Sequence, residues 1–342
     1  MRKICTLMLL LAVSTSLSFG QVSQTDKIKS ALSTENKDTV AWIHTGELIL
    51  GLNQGFLHNW AAGGEVASLA VDGLFSGNIT RLYHNQVWSN TLDASYSLFY
   101  AYSNGFVPRK VDDRLDFTSK YGSKLKNSKD IYFTGLFNFK SQFTKAYDYT
   151  VPNWQNTPIS DFLSPAYLTL AAGMEYRKGA NISLFLSPLA LRMTLASTKY
   201  TSRDPQGAFG IDYNKTSRTE LGAYFSGRYQ HDITPNINFK TRLDLYANYL
   251  AKNSTDSLGN VVKKDNPGNV DVYWDNMIAI KLGKHFNLNI GVTAIYDNDL
   301  PYENTYTDPV THLQVAKNEP GSGLGWLQLK EVMTFGFVYK IH

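Results

Sequence analysis

The densest run of ionisable side chains in this sequence is Arg109-Lys110-Val111-Asp112-Asp113-Arg114-Leu115-Asp116. Carboxylates this close together could hold a cation or exchange protons with a bound molecule. Each acid, however, has a base alongside it, which favours a structural salt-bridge network over catalysis. A second acidic group, Asp297, Asp299, Glu303 and Asp308, could hold calcium, but its spacing matches no established ligand loop. The histidines that could act as general bases are His44, His58, His84, His231, His285, His312 and His342. Of these, His58, beside Asn59 and Trp60, is the one to test, and it has no evident serine or carboxylate partner. The single cysteine, Cys5, rules out a disulfide framework and a thiolate metal site. No catalytic residue, cofactor site or metal site is therefore assigned.

The elements that must position these groups alternate with period two. Over 87–102, Trp88, Leu92, Ala94, Tyr96, Leu98, Tyr100 and Tyr102 share one face, and Ser89, Thr91, Asp93, Ser95 and Ser97 the other. Successive side chains of a strand point to opposite faces, so this is a strand with one apolar and one polar side. The pattern recurs over 237–249, where Phe239, Leu243, Leu245 and Ala247 alternate with Lys240, Arg242, Asp244 and Asn248, and again over 286–296. Applied throughout, it predicts twelve strands, near 44–57, 66–82, 87–102, 109–123, 131–143, 164–176, 181–195, 218–230, 237–249, 269–282, 286–297 and 326–341. Pro188 could split the seventh, because proline cannot donate to a ladder.

The connections between these strands alternate in length. Segments 144–163, 196–217, 250–268 and 298–325 are long, whereas those around Lys178-Gly179 and Gly283-Lys284 are tight. Outer-membrane barrels have this asymmetry, with short periplasmic turns and long extracellular loops. Rings gather at both strand ends: Tyr83, Trp88, Tyr132, Tyr176, Tyr229, Phe286 and Tyr339 on the turn side, and Phe56, Tyr100, Tyr102, Phe143, Tyr249, Tyr296 and Trp326 on the loop side. They read as two aromatic girdles. The expected fold is thus an all-β antiparallel transmembrane barrel over 44–342.

Inside such a barrel the polar faces carry Asp72, Asp93, Asp112, Asp116, Glu175, Glu220, Asp244, Asp271 and Asp275 against Arg114, Lys120, Lys140, Arg192, Arg228, Lys240, Arg242, Lys281 and Lys330. The balance predicts pairing across a narrow lumen. The charge network is assigned to Asp112, Arg114, Asp116, Lys240, Arg242, Asp244, Asp271 and Asp275.

The first twenty residues read as a signal peptide. Arg2 and Lys3 precede an apolar run from Ile4 to Val13, and Ser18-Phe19-Gly20 supplies small residues for cleavage before Gln21. The run is shorter than the about 18 apolar residues a spanning helix needs. Residues 21–43 are too polar for a barrel wall and are expected to form a periplasmic lead segment. Of 342 residues, 18% are charged and 13% aromatic, fewer charges than the about 25% of soluble domains. With Arg2 and Lys3 set aside, bases and acids nearly balance, which argues against a nucleic-acid partner.

A set of short motifs also resembles a known family. They are Trp60-x-x-Gly63-Gly64, Lys110-x-Asp112-Asp113, Phe139-x-x-Gln142-Phe143 followed by Tyr147-Asp148-Tyr149, Phe162-Leu163-Ser164-Pro165-Ala166-Tyr167, Ser187-Pro188, Gly207-Ala208-Phe209-Gly210, Asn269-Val270-Asp271-Val272, Tyr296-Asp297 and Leu327-Gln328-x-Lys330-Glu331. In number and order they resemble a family of Bacteroidota outer-membrane proteins known only as a domain of unknown function. The resemblance spans about residues 44–341, and departs from the family pattern at Ala146, where a glycine is usual. It implies an outer-membrane barrel and supplies no substrate.

The sequence thus predicts a non-enzymatic outer-membrane barrel, either a narrow channel for small solutes or a structural barrel that meets surface partners through its loops. Its other expected partners are outer-membrane lipid and, through the alternating closing strand 335–342, the barrel-assembly machinery. The alternative from a different class is a barrel-embedded lipid hydrolase of the outer-membrane phospholipase type, which would need a histidine and a serine side by side on the lipid-facing wall.

Overall fold

In the computed structural model, the described residues are 40–57, 66–149, 151–179, 181–203, 207–252, 254–255, 261–263, 267–297, 305–307, 314–316 and 327–341. Twelve antiparallel strands close into one barrel: β1 (Ala41–Phe56), β2 (Ala67–Tyr83), β3 (Gln86–Ala101), β4 (Arg109–Lys124), β5 (Ile131–Ser141), β6 (Ala166–Lys178), β7 (Ile182–Leu195), β8 (Ser217–Thr234), β9 (Ile237–Asn248), β10 (Val270–Lys281), β11 (Phe286–Tyr296) and β12 (Leu327–Ile341). Each pairs with its sequence neighbours, and β12 returns to β1 over Gly46↔Ile341 to Gly51↔Gly336. Glycine is required at this seam: a Cβ on Gly336 would lie 2.6 Å from the Leu50 carbonyl oxygen. Every strand of the ring thus has a neighbour on both sides, as a sheet in lipid requires, with the closing seam paired over these six positions.

The strand boundaries follow the alternation to within a few residues, except that β1 begins at Ala41, inside the stretch expected to precede the wall. Pro188 does not split β7. Met174 faces Leu186 and Ala172 faces Leu189, so β7 carries one extra residue as a bulge at 187–189. The bulge satisfies its own polar groups: Ser187 Oγ lies 2.8 Å from the Ala172 and Leu189 carbonyl oxygens, and Tyr249 Oη donates to the Pro188 carbonyl at 2.9 Å.

Connections at one end are short, at 84–85, 125–130, 179–181, 235–236 and 282–285. Those at the other end run over 57–66, 102–108, 142–165, 196–216, 249–269 and 297–326. The exterior is apolar between these ends, with Leu50, Leu170, Leu186, Leu189 and Trp274 all exposed. Exposed apolar groups on a continuous belt are the lipid-facing side of a transmembrane barrel.

Rings mark both rims of the belt, with Trp88, Tyr176, Tyr229, Phe286 and Tyr339 at the turn end and Phe56, Tyr102, Phe143 and Tyr249 at the loop end. Tyr132 is a correction to the predicted girdle. It points inward, 8% exposed, and packs with Leu82 and Val87 beneath Arg177. Its even position on β5 puts it in phase with Thr134 and Asn138, a phase that its ring chemistry obscured. Trp326 and residues 1–39, where the signal peptide and most of the lead segment are expected, lie outside the described residues.

Candidate functional site: a charged lumen

The interior is a stack of ion pairs, several of which connect strands far apart around the ring. Arg114 on β4 reaches Tyr273 Oη at 3.2 Å and Asp275 at 3.6 Å, both on β10, which stands six strands away in a ring of twelve. Arg242 on β9 donates to Asp116 on β4 at 3.0 Å and lies 2.7 Å from Asp244 on its own strand. Lys140 on β5 stands 3.9 Å from both Asp116 and Asp244 and sits over the Tyr273 ring at 4.3 Å. Asn138 and Ser226 complete the carboxylates by donating to Asp116 and Asp244 at 2.6 and 2.7 Å. Together these side chains join opposite walls at mid-height.

Nearer the loops, Arg192 is held between Glu220 and Asp271, and Lys330 reaches from β12 to Asp112 on β4. Nearer the turns, Glu175 is fully buried and saturated. It accepts from Lys120 and Arg177 at 3.1 Å, Thr134 at 3.0 Å and Ser183 at 2.7 Å. Buried ions persist only when paired and hydrogen-bonded in this way. Beside them lies an apolar interior patch of Leu136, Ala171, Phe185, Ala190, Tyr224 and Tyr246. Tyr224 and Tyr246 occupy polar-phase positions on β8 and β9, so their ring chemistry hid their inward direction.

Of the eight residues assigned to the network, Asp112, Arg114, Asp116, Arg242, Asp244, Asp271 and Asp275 each have an ion-pair partner. Lys240 does not. It is exposed to a lumen cavity of about 400 Å³ on the turn side of the mid-height pairs, with no acid within 4 Å among the described residues. Arg177 and Glu47 were absent from the sequence assignment, though both fall in the inward phase of their strands. Glu47 Oε1 lies 3.4 Å from Asn287 Nδ2.

The acidic and basic run at 109–116 is divided by a bulge. Ser97 faces Asp112 but Leu98 faces Lys110, so the phase changes between 110 and 112. Asp112, Arg114 and Asp116 therefore enter the lumen, while Lys110 and Asp113 stay with outward-facing Leu98 and Tyr96. There Asp113 accepts from the backbone N–H of Phe143 and Thr144 at 2.7 and 2.9 Å and from Lys110 Nζ at 2.9 Å. Gln142 donates to the Asp161 carbonyl at 2.9 Å. Tyr147, Tyr149 and Trp154 pack edge to face, with Arg109 over Tyr149 at 5.2 Å. Arg203 then ties the next loop to the Pro158 carbonyl, and Ser197 N–H donates to Ser164 Oγ at 3.0 Å. Lys110-x-Asp112-Asp113, Gln142-Phe143, Tyr147-Asp148-Tyr149 and Ser164-Pro165 thus meet at the loop-end rim.

The described histidines mark the turn end. His84 lies against Tyr83, His231 stacks on Tyr229, and His285 stacks on Phe337 at 5.5 Å. His58, the one histidine singled out for testing, lies outside the described residues, as do Asp299, Glu303 and Asp308. Among the described residues no group of three or more metal-ligating side chains is gathered.

No curated protein matches the sequence. Solved structures similar to the chain include the translocator domain of autotransporter NalP from Neisseria meningitidis, at 10% identity and a TM-score of 0.36, covering 92% of this chain and 93% of that one. The COG4313 outer membrane channel from Pseudomonas putida F1 aligns at 9% identity and a TM-score of 0.33, over 90% of this chain and 97% of that one. CdiB from Escherichia coli aligns at 8% identity and a TM-score of 0.34, over 98% and 73%. The model of a protein family of unknown function, DUF3078, matches residues 52–147, and over that stretch, from the end of β1 to the first tyrosine of the rim cluster, the chain is similar to this family.

Proposed function

We propose that the chain is an exported, non-enzymatic outer-membrane barrel that acts as a narrow, normally closed conduit for small solutes. The observation that carries this reading is the interior itself. A cavity of about 400 Å³, lined by charged, polar and apolar side chains, occupies the turn-side half of the lumen, and ion pairs between opposite walls bound it at mid-height. A small barrel can fill its interior completely with side chains, whereas this one leaves a cavity open beside its ion pairs. Here the polar interior is retained at the desolvation cost that buried ions carry.

Outer-membrane barrels place short turns in the periplasm and long loops outside. In this orientation the chamber faces the periplasm, and the rim cluster of the 142–165 loop faces out. A cysteine introduced at Asn156 or Tyr213 is expected to react with an impermeant thiol reagent on intact cells, and one at Lys126 or Lys284 only after lysis. The sole native cysteine, Cys5, falls within the proposed signal peptide and leaves with it. Labelling of both sets on intact cells would overturn the orientation.

The conduit reading is tested on purified protein in planar bilayers, where the unmodified barrel is expected to show little or no steady current. Large, porin-like conductance would refute the closed lumen. A lipase assay on the same preparation, with and without calcium, is expected to show no hydrolysis; turnover would restore the hydrolase alternative.

A further inference from the structure

At mid-height the strand register sets like charges directly opposite one another on two walls. Asp93 on β3 faces Asp116 on β4, and Arg228 on β8 faces Arg242 on β9. Like charges directly opposite on neighbouring strands are destabilising, so each pair calls for a counter-charge from elsewhere. Asp116 and Arg242 supply one another's across the lumen, at 3.0 Å. Asp93 and Arg228 do not meet.

Among the described residues neither Asp93 nor Arg228 has an opposite charge within 4 Å. Asp93 accepts only the Ser76 hydroxyl, at 2.7 Å, and the buried Arg228 Nε has no hydrogen-bond partner. The same register extends each wall by one more charge. Glu47 on β1 faces Ser76, which faces Asp93, and so continues the acidic row. Lys240 lies two residues from Arg242 on the same face of β9 and diagonal to Arg228, and it too is unpaired. All four charges line the cavity of about 400 Å³, and none of them makes an ion pair within 4 Å among the described residues, although Lys340 faces Glu47, Arg114 is diagonal to Asp93 and Asp244 is diagonal to Arg228. Carboxylates from β1 and β3 therefore look across it at cations from β8 and β9, and β9 is diametrically opposite β3.

We infer that this chamber binds a small zwitterion, such as an amino acid or short peptide, with its carboxylate on Arg228 and Lys240 and its ammonium group on Asp93 and Glu47. The inference rests on the conduit reading and names the class of solute that the conduit takes. Its volume falls within the about 300–1,000 Å³ of small-molecule sites. A zwitterion satisfies both walls at once, while a simple anion or cation leaves one wall unpaired. Each charge-assisted contact of this kind contributes about 1.5–3 kcal/mol, or roughly ten- to a hundredfold in affinity.

The test is calorimetric titration of the purified full barrel with glycylglycine, acetate and methylammonium. Saturable binding of glycylglycine is expected, at least about tenfold tighter than either single-charge probe. Asp93→Asn should reduce glycylglycine affinity and leave acetate binding unchanged, and Arg228→Gln should weaken both. Lys240→Gln repeats the Arg228 test at a chamber-exposed position, where folding is not in question. Correct assembly of each variant is read from heat-modifiable migration. Absence of glycylglycine binding, or acetate bound as tightly with Asp93→Asn silent, overturns the inference. Bilayer current is read separately, so a barrel that binds glycylglycine but cannot be opened sinks the conduit and leaves the binding site standing.

Discussion

Replacing Asp116, Lys140, Arg242 and Asp244 together with serine is expected to turn a nearly silent barrel into one with steady, resolvable single-channel current. The four side chains are mutually coordinated, so removing any one alone leaves an uncompensated charge in a confined space, at about 3–5 kcal/mol. Removing two acids and two bases together leaves the net charge unchanged and takes out the bridge between β4 and β9. Arg114 and Asp275 remain, so the opening is partial and the current stays below that of a 16-stranded porin, whose lumen is wider. High salt is a weak lever on these pairs. Asp116 and Asp244 are 3% and 8% exposed at the side chain, and buried pairs are screened little. Raising the salt should therefore increase current in the unmodified barrel no faster than bulk conductivity. A correctly assembled quadruple variant that remains silent would favour a scaffold over a channel.

Much of the wall was legible because a closed barrel imposes one rule on every strand: apolar outward, polar inward. Twelve repetitions of that rule fix strand count and boundaries even where single strands are weak. The rule fails in two places for physical reasons. Bulges at 110–112 and 187–189 each add a residue, and one added residue reverses the face of everything beyond it. That is why Lys110 and Asp113 lie at the rim while Asp112 and Arg114, their immediate neighbours in the run, enter the lumen. Tyrosine is the other failure, because its ring suits lipid and its hydroxyl suits a polar interior. Tyr132, Tyr224, Tyr246 and Tyr273 all turn inward, and only strand phase could have located them. Alternation also listed lumen charges without pairing them. Whether Arg242 meets Asp116 depends on five strands of intervening register, whereas the isolation of Lys240 depends on a cavity; neither is written in local spacing.

Three substitutions on β9 should separate in severity by what each side chain meets. Arg242→Glu removes the partner of Asp116 and Asp244 and sets a third carboxylate between them. Losing the buried pair alone costs about 3–5 kcal/mol, and the added repulsion deepens it. Leu243→Arg places a charge on the exterior at mid-strand, next to exposed Trp274, where lipid penalises arginine by about 2–4 kcal/mol. Lys240→Glu breaks no ion pair, has uncharged Gln230 as its partner on neighbouring β8 and lines the lumen cavity, so the barrel should assemble as the unmodified chain does. The expected order of damage, read by heat-modifiable migration after folding into liposomes, is Arg242→Glu, then Leu243→Arg, then Lys240→Glu. By face alone, both lumen changes would be tolerated and only the exterior one would fail. If Lys240→Glu proved as damaging as Arg242→Glu, the chamber and the mid-height bridge would not be distinct; if Arg242→Glu assembled normally, no cross-lumen pair would hold the walls together.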